Sequence, residues 1–209
     1  MIFFSEIIEK LSNLGFRSNS EYATRKRTTP RMTNVTITAN GACPALKHET
    51  EWAVTFIKHC FLIIPMLSKS YYIDTCIWLN IFKKEGDVTK GVPYWKLAKE
   101  FIEQVEDGKE TVIVSTIVLK ELEFTLHSRF YEIKQFFKES GIILITKTTP
   151  EDYALAREFE QTHTLLSFYD YLHVAIARRL NVPLITRDRD LMEFAKKHIK
   201  VFKPEDLLR

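Results

Sequence analysis

Four acidic residues, Asp74, Glu121, Asp170 and Asp188, stand where strands of a parallel sheet would end and helices would begin. Asp74 ends one short apolar run, Asp188 lies just beyond another, and Glu121 falls early in the helical pattern after a third. Ligands of open parallel sheets bind outside the carboxyl ends of the strands, because helix starts and loops converge there. We therefore expect these three acids to share one site. Asp170 opens a later helix, and periodicity leaves its distance from that site open.

Carboxylates that share a cleft repel one another and raise their own pKa values unless a cation holds them together. Mg²⁺ and Mn²⁺ are hard divalent ions that select oxygen ligands and keep several waters for substrate oxygens. A water bound to such an ion is acidic enough to attack phosphorus in line. The acidic residues therefore predict a Mg²⁺- or Mn²⁺-dependent hydrolysis of phosphodiesters.

Several neighbouring residues have more than one interpretation. Glu123 competes with Glu121, but the two point in different directions on a helix, and we favour Glu121 because nearby leucines would hold its turn against the core. His173 lies one turn after Asp170 and is interpreted as a packing or hydrogen-bonding residue near the site. Arg187 and its neighbour Arg189 could contact phosphates, form ion pairs or be solvated, and the sequence leaves these roles open.

The elements that would position these residues alternate between strand and helix. Strand patterns cover residues 71–74, 111–115, 142–146, 183–186 and 200–202, and helix-compatible apolar spacing fills the segments between them. These strands, including 142–146, are hydrophobic enough to be buried. Buried strands separated by helices predict an α/β fold with a central parallel sheet that is covered on both faces.

Residues 1–70 precede the predicted domain, which covers residues 71–209. They are expected to form a poorly ordered extension, and Met66 leaves a misassigned start as the alternative interpretation. The apolar run 52–67 is shorter than the roughly 20 residues of a spanning helix, so we expect no membrane partner. No secretion signal is evident, and three cysteines without paired spacing fit a reducing, cytoplasmic location.

Charge is distributed unevenly along the chain. Residues 1–70 contain nine Lys and Arg against five Asp and Glu, whereas residues 71–209 contain 21 against 22. With a net charge of −1, the domain is not a general binder of polyanions. If it acts on nucleic acid, metal ions must neutralise the acidic site, and basic residues must be grouped locally.

Four motifs carry a family resemblance: IDT with Asp74, STIVLKELE with Glu121, FYDYLHVAIA with Asp170, and LITRDRDL with Asp188. In their order and spacing they resemble a PIN domain of the VapC type, or a related archaeal-style PIN ribonuclease. The resemblance extends from residue 71 to the carboxyl terminus. It implies a three-layer α/β/α sandwich and Mg²⁺- or Mn²⁺-dependent cleavage of RNA, with the four acids as metal ligands and catalytic residues.

The resemblance also implies roles for other residues and for partners. Thr186 matches a hydroxyl that orients the metal and its waters, and Asp190 is a supporting acidic candidate. Cys76 departs from the family's Asn, which would weaken a hydrogen bond beside the metal. The expected partners are an RNA substrate, a cognate antitoxin and a second copy in a homodimer. The alternative is a catalytically inactive PIN-like module that binds RNA or protein. Cys76 argues against a haloacid dehalogenase phosphatase, which needs Asp at this position.

Overall fold

A computed structural model describes residues 69–209, and the predictions for residues 1–68 lie outside this part of the chain. Its strands are β1 (Ser70–Ile73), β2 (Thr111–Ser115), β3 (Ile143–Thr146), β4 (Leu184–Ile185) and β5 (Val201–Phe202). All neighbouring strands are parallel, in the order β3-β2-β1-β4-β5. The predicted central parallel sheet is confirmed. Because β1 lies in the middle, the residue that follows it opens onto the centre of the carboxyl edge.

Helices connect these strands. They are α1 (Thr75–Lys83), α2 (Tyr94–Asp107), α3 (Thr116–Leu126), α4 (Phe130–Glu139), α5 (Pro150–Thr162), α6 (Phe168–Leu180) and α7 (Arg189–Ala195). Short 3₁₀ turns cover His127–Arg129 and Pro204–Asp206. The alternation of strands and helices forms the three-layer α/β/α sandwich that the sequence predicted. None of the helices within residues 69–209 has the length and hydrophobicity that a membrane span requires.

The core fixes the central strand. Tyr72 and Ile73 of β1 are fully buried, and Trp78 of α1 packs edge-on against Phe137 of α4 with ring centroids 4.7 Å apart. Fully burying an aliphatic or aromatic side chain of this size stabilises the fold by about 1.5–3 kcal/mol. The carboxyl end of β1 is therefore rigidly held immediately before Asp74.

Polar side chains cap the helices that start at the carboxyl edge of the sheet. Ser115 caps α3 by accepting a hydrogen bond from the Val118 backbone N–H at 3.3 Å. Ser167 and Asp170 form a reciprocal capping box at the start of α6. Asp188 caps α7. Because caps satisfy the free N–H groups of a first turn, the sequence fixes where these helices begin.

Strand β3 differs from its prediction. The sequence indicated a buried strand, but Leu144 is 56% exposed and its neighbours are only partly buried. The physical reason is its position, because β3 pairs only with β2 and lies at the edge of the sheet. A short apolar run does not reveal whether a strand is central or at an edge.

Candidate active site

A cavity of about 570 Å³ opens at the carboxyl edge of the sheet, where helices α1, α3 and α6 meet the residues that follow β1 and precede α7. All four acids singled out in the sequence line it: Asp74, Glu121, Asp170 and Asp188. Glu123 lies on the exposed face of α3 and does not line the cavity. Lys120, Phe124 and Tyr169 are also part of its wall.

Asp74 is the innermost of these acids and is only 5% exposed. Its backbone N–H donates to the Ile185 carbonyl at 3.0 Å, which ties the end of β1 to β4. Its Oδ2 accepts a hydrogen bond from the Thr186 hydroxyl at 2.7 Å. Thr186 Oγ1 also accepts from the Asp188 backbone N–H at 3.1 Å. One buried hydroxyl therefore contacts both the side chain of Asp74 and the backbone of Asp188. The structure thus gives Thr186 an orienting position beside Asp74.

Glu121 reaches the same part of the cavity from α3. Its Oε2 accepts hydrogen bonds from the Thr75 hydroxyl and from His173 Nε2, the latter at 3.0 Å. The same imidazole nitrogen lies 3.5 Å from Asp74 Oδ1. His173 therefore lies between the two inner acids, and at 1% exposure it is part of the interior.

A buried chain of hydrogen bonds holds the imidazole of His173. Its Nδ1 lies 2.8 Å from the Tyr72 hydroxyl, and that hydroxyl lies 2.7 Å from Ser115 Oγ. Ser115 ends β2 and caps α3, the helix that carries Glu121, so the chain of contacts runs from the start of α3 back to a side chain of the same helix. Glu121 is thereby held both through its own helix and through two other elements, β1 and α6.

The pKa values of the inner residues reflect this packing. Burial alone would lower the pKa of His173, but Tyr72, Glu121 and Asp74 raise it well above its usual value. Burial would likewise raise the pKa of Glu121, yet its hydrogen bonds to His173 and Thr75 and the charge of His173 lower it overall. The proximity of Glu121 and Asp74 thus favours the charged form of His173, and that charge in turn favours the ionised form of Glu121.

The two outer acids are held differently. Asp170 Oδ2 accepts from the Ser167 backbone N–H at 2.9 Å, and Asp188 Oδ1 accepts from the Asp190 and Leu191 backbone N–H groups, both at 2.9 Å. Burial raises the pKa of Asp170, although the hydrogen bonds with Ser167 offset part of this shift. Asp190, the supporting candidate, supplies a backbone donor, and its side chain does not line the cavity.

Cys76 also belongs to the cavity wall. Its Sγ lies 3.4 Å from the Thr186 hydroxyl and accepts from the Arg187 backbone N–H at 3.4 Å. Burial and the charge of Asp74 raise the pKa of the thiol well above its usual value, so Cys76 is protonated at neutral pH. It contacts the hydroxyl that supports Asp74, and the hydrogen bond from Thr186 to Asp74 is nevertheless formed.

The donor set fits a hard divalent cation. Within residues 69–209, Glu121 Oε1, Asp170 Oδ1 and Asp188 Oδ2 accept no hydrogen bond, because each carboxylate uses only its other oxygen. In the same part of the chain, no three His, Cys, Asp or Glu side chains are close enough to form a ready-made metal cluster. Mg²⁺ is usually bound through one or two carboxylates, waters and substrate phosphate, so the inner acids with support from the outer pair suit it.

The sequence pattern indicated no role for Tyr72 or Ser115 and placed His173 only near the site. One signal was available: Tyr72 and Asp74 are two residues apart at the end of a strand, so their side chains point to the same face. The contact of His173 with Glu121 spans 52 residues, and its contact with Tyr72 spans 101. Such long-range pairs are not visible in local periodicity.

The PIN domain model matches residues 71–197 of the chain. The search of curated proteins found no match to the chain. Similar solved structures include VapBC2 from Rickettsia felis bound to a DNA fragment from its promoter, with 18% identity, a TM-score of 0.47, and coverage of 64% of this chain and 98% of that one. FitAcB from Neisseria gonorrhoeae has 19% identity and a TM-score of 0.46, with coverage of 66% and 99%.

Proposed function

Because the chain belongs to the PIN domain family, we propose that it is a metal-dependent endoribonuclease that hydrolyses RNA phosphodiester bonds. The observation that carries the proposal is the convergence of Asp74, Glu121, Asp170 and Asp188 on one cavity. A cleft lined by four carboxylates would repel a phosphodiester unless cations are bound there. An activity that consumes a polyanion at this site therefore requires a metal ion.

In this proposal, Asp74 and Glu121 hold Mg²⁺ or Mn²⁺, and Asp170 and Asp188 complete the ligand set with the oxygens that their caps leave available. When bound, such an ion supplies Lewis acidity toward a water molecule and toward the phosphate. Oxygen ligands favour Mg²⁺ and Mn²⁺ over softer ions.

Other side chains position these ligands. His173 and Thr75 hold one oxygen of Glu121, which directs the other oxygen toward the cavity. Thr186 holds one oxygen of Asp74 in the same way. These partners are buried and tied to the sheet, so the inner acids lose little conformational entropy when a cation binds.

The alternative function, an inactive binding module, rests on Cys76 alone. That residue is compatible with activity because the Thr186 to Asp74 hydrogen bond persists beside it. The competing proposals differ in metal binding: a catalytic site takes up Mn²⁺ at millimolar concentration, and an inert module need not do so.

The proposal includes a biological role as the toxin of a toxin–antitoxin pair. RNA would be the substrate, a small antitoxin protein encoded beside the gene would be the partner, and a homodimer would be the assembly. Co-expression with the product of the adjacent gene tests the role. Co-purification of a stable complex with suppressed RNA cleavage supports it, and a neighbouring product that neither binds nor inhibits argues against it.

The test of the enzymatic proposal uses two matched pairs of variants. The purified full chain should cleave RNA with Mg²⁺ or Mn²⁺ and lose this activity with EDTA. Asp74→Asn and Glu121→Gln should abolish cleavage, whereas Asp87→Asn and Glu123→Gln should retain it, because those acids lie outside the cavity. Cleavage by Asp74→Asn at the wild-type rate would refute the proposal.

A further inference from the structure

A second charged region lies beside the acidic cavity. Residues 178–203 contain eight Lys and Arg against three Asp and Glu, whereas the rest of residues 71–209 contains 13 against 19. This segment runs from the end of α6 through β4 and α7 to β5. The domain as a whole carries a slight negative charge, so its positive charge is concentrated in this one stretch.

Two cavities follow this stretch. One, of about 470 Å³, is lined by Arg187, Arg189, Lys196 and Lys203, with Glu193 as its acidic side chain. The other, of about 570 Å³, is lined by Arg178, Lys196, Lys197 and Lys200 and has no acidic side chain in its wall. Lys196 lines both, so the two cavities adjoin at the carboxyl end of α7.

These adjoining cavities begin at the candidate active site. Arg187 and Arg189 flank Asp188, which lines the acidic cavity. The second cavity is at the opposite, amino-terminal ends of β4 and β5, beside Pro183 and Lys200. Helix α7 lies between them, and its seven residues span about 10 Å at 1.5 Å per residue. A chain of phosphates that leaves the acids along α7 would meet Arg189 at the start of the helix and Lys196 just after its end, with Lys203 beside the same cavity.

Most of these cations are available to a ligand. Arg178, Arg189, Lys196, Lys197, Lys200 and Lys203 are exposed, and none forms an ion pair with a carboxylate of residues 69–209. Arg187 differs, because it pairs with Glu205 at 2.7 Å and stacks on Tyr94 at 4.3 Å. We define the six unpaired cations as the basic track.

Helix stability explains only part of the track. Cations at the carboxyl ends of helices complement the helix dipole, which accounts for Arg178 and Lys196. Arg189 is the first residue of α7, where the dipole disfavours a positive charge, and Lys200 and Lys203 flank a strand. Their shared position beside two cavities is instead suited to an anion.

We infer that the basic track binds the phosphate backbone of the RNA strand next to the scissile bond, so that a strand extends from the acids along α7. This inference rests on the proposed function. An anionic membrane would need apolar side chains among the cations, and none of the large exposed hydrophobic residues of the described chain falls within residues 178–203. An acidic cleft that must hold a polyanion gains most from cations placed just beyond its rim.

The test compares substrates of two lengths. A trinucleotide occupies the acids alone, whereas an unstructured RNA of about 20 nucleotides also reaches the track. Lys196→Ala/Lys200→Ala should raise the KM for the long RNA about tenfold and leave kcat/KM for the trinucleotide unchanged. The matched control is Lys134→Ala/Lys138→Ala, which removes the same charge from exposed positions on α4. The control should change neither value.

Binding gives a second readout that does not depend on turnover. In the Asp74→Asn background, the salt dependence of RNA affinity should fall by about 0.7 per lost phosphate contact, thus by about 1.4 for the track variant. If the salt dependence of RNA affinity is the same for the track and control variants while the wild type still cleaves RNA, the inference is overturned and the proposed function stands. Absence of cleavage by the wild type would instead remove the proposed function.

Two further ligands are outcomes of the same experiment. If the track variant reduces the salt dependence of affinity more for duplex DNA than for RNA, the track binds DNA and the inference is overturned. If the track variant abolishes binding to phosphatidylserine vesicles and leaves RNA binding unchanged, the inference is likewise overturned. Thermal unfolding of both double variants at the wild-type temperature verifies that the comparison concerns folded protein.

Discussion

The inner and outer halves of the candidate site hold their carboxylates by different means. Asp74 and Glu121 accept hydrogen bonds from buried side chains on other elements, chiefly Thr186 and His173. Asp170 and Asp188 instead accept from backbone N–H groups at the start of their own helices. The inner half is thus built from long-range contacts and the outer half from local ones.

Because of this difference, variants of the inner and outer acids should differ in their effects on function and on stability. Removing an inner acid leaves helices capped but removes a buried partner of His173, so its effect should appear mainly in metal binding and turnover. Replacing an outer acid by alanine also removes a side-chain acceptor of a helix cap, which costs about 0.5–2 kcal/mol of stability.

Asp74→Asn should have the largest effect, a loss of RNA cleavage of at least about 10³-fold, because a neutral amide is a poor ligand for a hard cation. Single-turnover cleavage at saturating Mn²⁺ measures it. Excess EDTA added to the wild type should give a comparable loss, reversed by Mn²⁺. A loss smaller than that of the outer-acid variants would invert the proposed order of the two halves.

His173→Ala should weaken Mn²⁺ binding and cleavage by about 10–100-fold, the usual effect of removing a group that orients a metal ligand. Isothermal titration calorimetry measures the metal affinity independently of activity. Tyr72→Phe, which removes only the hydroxyl beside His173 Nδ1, should have a smaller effect in the same direction. His127→Ala, at an exposed position, is the control and should match the wild type. Equal Mn²⁺ affinity in all of these proteins would show that His173 does not position Glu121.

Asp188→Ala and Asp170→Ala should each lower both activity and stability, the latter by about 1 kcal/mol in urea denaturation, because alanine offers no acceptor for the capping hydrogen bonds. Ser167→Ala provides the matched comparison, because it removes the capping hydroxyl of α6 and leaves Asp170 in the cavity. It should lower stability by a similar amount with less effect on metal affinity. If all three variants change stability without changing Mn²⁺ affinity, the outer acids are caps only.

Cys76→Asn should have the smallest effect, a change in cleavage of less than about tenfold. The thiol accepts a weak hydrogen bond and contacts Thr186, and the amide restores a stronger donor and acceptor at the same position. A steady-state assay on RNA measures the change. A gain of several orders of magnitude would show that the natural Cys76 protein is an inactive module.

Much of the fold followed from local patterns. The strand runs and the helical apolar spacing between them predicted the elements closely, because apolar periodicity acts within a few positions. The same reasoning misjudged β3, since the exposure of Leu144 depends on the position of that strand in the sheet. It also left Asp170 unplaced, because the first turn of α6 comes close to the other acids only through packing between elements.

The sequence by itself determined the order of strands and helices and the places where acids follow them, because those features depend on neighbours along the chain. Only the tertiary structure decided that His173 lies between Asp74 and Glu121, and that Tyr72 and Ser115 hold it there. The track along α7 has the same origin, since Arg178 and Lys200 line one cavity only after β4 and β5 pair. The physical reason is that contacts between distant segments depend on how the sheet is assembled.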